Sequence, residues 1–136
     1  MINFNYEIDF ELQEEQKIST WLNNTIIAEK RKVGEINYIF CDDVYLHKLN
    51  VEFLKHDTLT DIISFDYSVG NELHGDIYIS VERVKENAEA FSALFIEELK
   101  RVMVHGILHY CGYKDKSLDD TKVMRKMETH YLDLFV

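Results

Sequence analysis

Apolar and polar residues alternate from Ile2 to Ile8 (INFNYEI), the period of a half-buried strand. From Leu12 to Ala28 the period lengthens, and Ile18, Trp21, Leu22, Thr25 and Ile26 fall on one side of a predicted helix. Lys30 to Gly34 interrupts the pattern, and Glu35 to Cys41 (EINYIFC) reads as a second strand rich in β-formers. Asp42-Asp43 supplies cap chemistry for a helix through about Phe53, with Val44, Leu46, Leu49 and Phe53 as its expected apolar side. After a polar, irregular stretch from Leu54 to Thr60, Ile62–Ser68 and Asp76–Ser80 read as strands flanking a Gly70-Asn71 turn, close enough to form a hairpin. The remainder is helical: Val81 to about Phe91, Phe95 to about Cys111, and a last helix to about Leu134. Ser117 or Asp119 caps that last helix, which buries Val123, Met127, Tyr131 and Leu134. Strands come mostly early and helices mostly late. The fold class is therefore α+β, one mixed sheet of about four strands packed with about five helices.

Composition narrows the picture little. The 136 residues, 46% of them hydrophobic, suit one domain over residues 1–136 with a single core. No run of eighteen apolar residues occurs, and the N-terminus lacks the basic and apolar regions of a signal peptide. Cys41 and Cys111 stand far apart and form no disulfide framework, so a cytoplasmic protein is expected. A formal charge of -10 argues against general nucleic-acid binding but leaves room for a local basic groove. Small basic clusters occur at Lys30 to Lys32, Lys100 with Arg101, Lys114 with Lys116 and Arg125 with Lys126, and read more readily as solvated helix ends and faces.

Candidate chemistry is concentrated in VMVHGILHYCGYKDKS. His105 and His109 differ by about 40° around a helix and project from one face, so two imidazoles can share an ion. Gly112 suits a left-handed helix end, after which Asp115 can return towards the pair as a third ligand. A histidine pair at this spacing on an apolar helix also arises by chance, each ring bonded to a carbonyl. Gly106 stands where a His-Glu-x-x-His peptidase carries its general base, which argues against peptidase chemistry. Its lack of a side chain implies close packing or room for a bulky substrate. Cys111 points some 200° round the helix from His109 and reads as a small buried hydrophobe.

The run His105-Gly106-Ile107-Leu108-His109-Tyr110-Cys111-Gly112-Tyr113-Lys114-Asp115 resembles the signature of the YbeY family of bacterial single-strand endoribonucleases. Leu49-Asn50 with Phe53, Thr60-Asp61-Ile62-Ile63-Ser64-Phe65 and Gly75-Asp76-Ile77-Tyr78-Ile79-Ser80 match further elements of that family in order. The resemblance implies a zincin-like (metalloprotease-like) fold, a Zn²⁺ ion on three ligands, and a cytoplasmic protein. It also implies action on single-stranded rRNA of the small ribosomal subunit, in 16S rRNA 3′-end maturation and ribosome quality control. Two departures are visible. Asp115 replaces the family's third histidine, which keeps a zinc site feasible and moves it towards Mn²⁺ or Fe²⁺. Leu54 replaces a family arginine, and the adjacent Lys55 supplies charge without a bidentate fork.

Under this reading, metal-bound water attacks the phosphodiester, with Lys55, Lys114 or Lys116 supplementing positive charge. Asp61 and Asp76 are candidate bases, although turn and outer hydrogen-bonding roles suit both somewhat better. Phe65 or Tyr113 can stack a base, with core packing the alternative for Phe65. A different class of reading is a ribosome-assembly factor that binds without cutting, its metal structural and closed by a fourth protein ligand.

Overall fold

The computed structural model describes residues 1–56 and 58–135. In chain order these form β1 (Ile2–Tyr6), α1 (Glu15–Ala28), β2 (Lys32–Cys41), α2 (Asp43–Leu54), β3 (Ile62–Asp66), β4 (Glu72–Ser80), α3 (Val81–Ala90), α4 (Phe95–Tyr110) and α5 (Leu118–Asp133). The expected α+β class and mixed sheet are present. The sheet order is β1-β2-β4-β3, with β1, β2 and β4 parallel and β3 antiparallel at one edge.

Alternation along the central strands divides the sheet into two faces. Ile36, Tyr38 and Phe40 of β2 and Leu73, Ile77 and Ile79 of β4 point into the main core, which α1, α4 and α5 complete with Trp21, Leu22, Leu99, Met103, Ile107 and Met124. Asn37 and Asp76 occupy the other face, joined by an Asn37 Nδ2–H···Oδ1 bond of 3.0 Å. On that face α2 sets Leu46 against Cys41 and Ile63.

The central strands are longer than their apolar pattern predicts. β2 begins at Lys32, directly after Lys30 turns the chain at φ 64. One extra residue on β2 between Val33 and Ile36 breaks the alternation while Lys32 stays paired with Glu72. That pairing also extends β4 back to Glu72. β3 ends early, at Asp66, whose Oδ1 accepts the Ser68 N–H at 2.9 Å and turns the chain.

Two helices bury only part of the face expected, Leu46 in α2 and Tyr131 in α5 among it. Val44 is 74% exposed and Phe53 is also exposed, whereas Leu46 and Asn50 are buried. Asn50 is held by donating from Nδ2 to the Thr58 carbonyl at 2.8 Å. In α5 the buried positions are Met124, Glu128 and Tyr131, while Val123 and Leu134 are exposed. A carboxylate in the buried stripe shifts the phase by one residue. Helix α1 buries the five residues predicted for it. Among the described residues no helix is long and apolar enough to cross a membrane.

Candidate metal centre

Helix α4 carries His105 and His109 on the side that faces α5 and the edge of β3. The adjoining side, at Gly106, lies close on the sheet. A Cβ added at Gly106 would stand 3.0 Å from Ile77 Cδ1 and 3.3 Å from Ile62 Cδ1, so of the two expectations for this glycine, close packing is the one observed. The helix ends in a Schellman motif. Gly112 adopts φ +102, its N–H donates to the His109 carbonyl at 3.0 Å, and the Tyr113 N–H donates to the Leu108 carbonyl at 3.1 Å.

Two contacts fasten the chain after this cap. Arg31 Nη2 donates to the Cys111 carbonyl at 3.0 Å, and the Tyr113 hydroxyl donates to Glu29 Oε1 at 2.9 Å. The Tyr131 hydroxyl of α5 donates to the same Glu29 carboxylate. Thr121 Oγ1 then donates to the Asp115 carbonyl at 3.2 Å. So fastened, the loop turns back and presents Asp115 to the two histidines.

The three side chains meet. Nε2 of His105 and Nε2 of His109 are 3.0 Å apart, and Asp115 Oδ2 lies 3.2 Å from the second and 3.4 Å from the first. Three donors of a tetrahedral zinc ion, each about 2.0–2.2 Å from it, stand roughly 3.3–3.6 Å from one another. The observed triangle is within a few tenths of an ångström of that. Its chemistry agrees too, because two imidazole nitrogens and a carboxylate oxygen are a donor set that zinc takes.

Glu128 settles which nitrogen of His105 faces inward. Its Oε2 lies 2.6 Å from His105 Nδ1, and its Oε1 accepts from Arg101 Nη1 at 3.0 Å. A buried carboxylate at that distance holds the proton on Nδ1 and leaves the Nε2 lone pair directed at the triangle, as behind histidines that ligate metals. Burial disfavours the His105 imidazolium. The Glu128 hydrogen bond and charge, with those of Asp115 and Asp61, outweigh burial and raise its pKa above the ordinary histidine value.

A cleft of about 510 Å³ opens beside the triangle, between the β3 edge, α4 and α5. Asp61 lines it, its own carbonyl accepting from the Ser80 N–H at 3.0 Å and its Oδ2 3.5 Å from Asn87 Nδ2. Burial raises the Asp61 carboxyl above the usual carboxylate range, against the lowering field of His105. Glu98 lines the same cleft and is raised by the same cause.

The other sequence candidates lie elsewhere. Asp76 projects from the opposite face of the sheet to Asn37 and does not line the cleft, because strand alternation separates it from Ile77 and Gly106. Lys55 is the left-handed cap of α2, with Nζ 3.3 Å from the Glu52 carbonyl. Lys114 and Lys116 are exposed on the loop and line no part of the cleft. Phe65 packs edge-on between Phe53 and Tyr78 on the α2 side, and Tyr113 is engaged with Glu29, so neither ring faces the cleft. Cys111 packs against the main core, where burial pushes its thiol up to about 11. Arg101 and Arg125, members of two of the small basic clusters in the sequence, do line the cleft, whereas sequence reasoning missed Glu128 and Glu29. The one readable signal was Glu128, a charge between Met124 and Tyr131 on a helix that has to bury one side.

Comparison with known proteins follows the same lines. A family model described as Endoribonuclease YbeY matches residues 2–136. A protein named Endoribonuclease YbeY from Flavobacterium johnsoniae is 63% identical over 135 residues, 99% of this chain and 97% of that protein. Its namesake from Bacteroides thetaiotaomicron is 40% identical over 119 residues, 88% of this chain and 87% of that protein. The solution structure of TM1509 from Thermotoga maritima superposes with a TM-score of 0.68 at 27% identity, covering 98% of this chain and 87% of that one. The chain belongs to the Endoribonuclease YbeY family.

Proposed function

We propose that this chain is a metal-dependent single-strand endoribonuclease of the cytoplasm, acting on small-subunit rRNA in 16S 3′-end maturation and ribosome quality control. The names of its relatives support RNA hydrolysis. The observation that carries the metal dependence is the convergence of His105 Nε2, His109 Nε2 and Asp115 Oδ2 at the wall of a cleft. One ion is expected, Zn²⁺ by donor type, with Mn²⁺ or Fe²⁺ as alternatives that the carboxylate opens.

When bound there, a divalent ion supplies Lewis acidity, lowering the pKa of a water and polarising a phosphoryl oxygen. The chain's own groups supply the rest. His105, His109 and Asp115 hold the ion, and Glu128 keeps the His105 proton on the outward nitrogen. Asp61, which lines the cleft, is the group we assign to accept a proton from water there, and the desolvation that raises its pKa supports that role. Ile62, Val102 and Met124 form an apolar wall that limits competing water.

Three converging ligands favour this reading over an assembly factor with a closed structural metal, which would take four protein ligands. Among the described residues the group comprises three. The test is cleavage of a single-stranded oligoribonucleotide by the metal-loaded protein, with His109→Ala as control. Cleavage by the wild type and loss in the variant is expected. Equal cleavage by both would mean a contaminating nuclease and overturn the proposal.

A further inference from the structure

Charge in the cleft is unevenly employed. Among the described residues four carboxylates line it, those of Asp61, Glu98, Asp115 and Glu128, against two guanidinium groups, Arg101 and Arg125. A divalent ion would bring this set to neutrality, and an entering phosphodiester would again be unmatched. The cation that meets it has to be one whose hydrogen bonds are free. Arg101 does not qualify: it is 18% exposed, with Nη1 on Glu128 Oε1 at 3.0 Å and Nη2 on Thr129 Oγ1 at 3.2 Å. Arg125 differs on each count. It is 60% exposed, and its approach to Glu128 Oε1 is 4.0 Å, to an oxygen that Arg101 already occupies. A pair that long and that exposed holds a side chain only weakly. Its planar fork is available to two oxygens of one phosphate.

We propose that Arg125 is the phosphate-binding residue of the cleft, gripping the backbone of the single-stranded substrate from α5, across from β3. The assignment rests on the nuclease reading above and adds to it the residue that fixes substrate register. It replaces Lys55, Lys114 and Lys116, which line no part of the cleft, as the source of positive charge at the reacting phosphate.

The test uses the zinc-loaded full chain, a short single-stranded oligoribonucleotide, and the variants Arg125→Gln, Arg125→Lys and Lys126→Gln. Lys126→Gln removes an equal charge about 100° further round α5. For Arg125→Gln, KM is expected to rise about ten- to a hundredfold, the range of a charge-assisted hydrogen bond, and the salt dependence of binding to lose about one counterion. Arg125→Lys should recover the salt slope but not the full affinity. Zinc stoichiometry should be unchanged in all three. Wild-type KM and salt slope in Arg125→Gln, or equal losses in Arg125→Gln and Lys126→Gln, would overturn the assignment while leaving the nuclease reading intact. Zinc-dependent cleavage absent from the wild type itself would instead overturn that reading, and this assignment with it.

Discussion

Glu128 and Asp115 act on the same triangle from opposite sides. Asp115 contributes an oxygen to it, while Glu128 holds His105 in the tautomer that can ligate. Removing the charge from either is therefore expected to weaken metal binding, but by different amounts. Glu128→Gln keeps an acceptor near Nδ1 and loses the anion. Zinc affinity, read by competition with a chromophoric chelator, should fall about ten- to a hundredfold, the usual consequence of changing such a partner. Asp115→Asn deletes the anionic ligand and should bring the zinc content found by elemental analysis well below that of the wild type. Unchanged stoichiometry would show that Asp115 is not a ligand. Asp115→His should retain the ion, because Gly112 and the Arg31 and Glu29 contacts fix the loop independently of residue 115.

At the level of elements, the site depends on how closely α4 lies on the sheet and how firmly the following loop is fastened. Gly106→Ala gains about 1 kcal/mol of helix propensity. Against this, its Cβ would press on Ile77 Cδ1 at 3.0 Å and Ile62 Cδ1 at 3.3 Å. Ile77 is fully buried and enclosed by the core, so it cannot yield as an exposed side chain would. Overpacking of this kind costs about 1–3 kcal/mol, and a net destabilisation of about 1 kcal/mol is expected, read as a lower urea midpoint at unchanged slope. Arg31→Ala should leave the core intact and loosen the Cys111–Asp115 turn. A loss of zinc affinity exceeding any loss of stability would distinguish the two effects.

These elements were legible in proportion to how locally they are determined. Helix α1, the Gly112 cap and the histidine pair follow from periodicity and one glycine. The true length of β2 depends on a bulge that pairing with β4 makes tolerable, and the buried face of α5 depends on Glu128 finding Arg101 and His105 on α4. Both are set by contacts remote in sequence, to which a pattern of apolar residues is blind. The same holds for Asp61 and Asp76. Each belongs to a matched motif, but Asp61 lies just before β3 and lines the cleft, whereas strand alternation turns Asp76 of β4 behind the sheet.

Over the whole molecule, the site opposes the stability of the fold that carries it. The net charge is -10, and it includes two cleft carboxyls that burial makes costly to ionise. Asp61 and Glu98 are both raised above the ordinary range, with desolvation as the leading cause. The sign of the pH dependence follows. A carboxyl with a higher pKa in the folded state than in the unfolded chain binds its proton more tightly when folded. Its contribution is fully present below the unfolded pKa and is lost as the pH rises through the folded one. The metal-free protein should accordingly lose stability from these two groups as the pH is raised from the unfolded carboxylate range towards neutrality. Asp61→Asn should flatten that loss and give a higher urea midpoint than wild type near pH 7, with a smaller difference near pH 4. A variant that is more stable near neutrality and yet fails to cleave RNA would identify Asp61 as a group retained for chemistry at the expense of stability. One equally stable at both pH values would mean that its carboxyl is not desolvated in the folded protein.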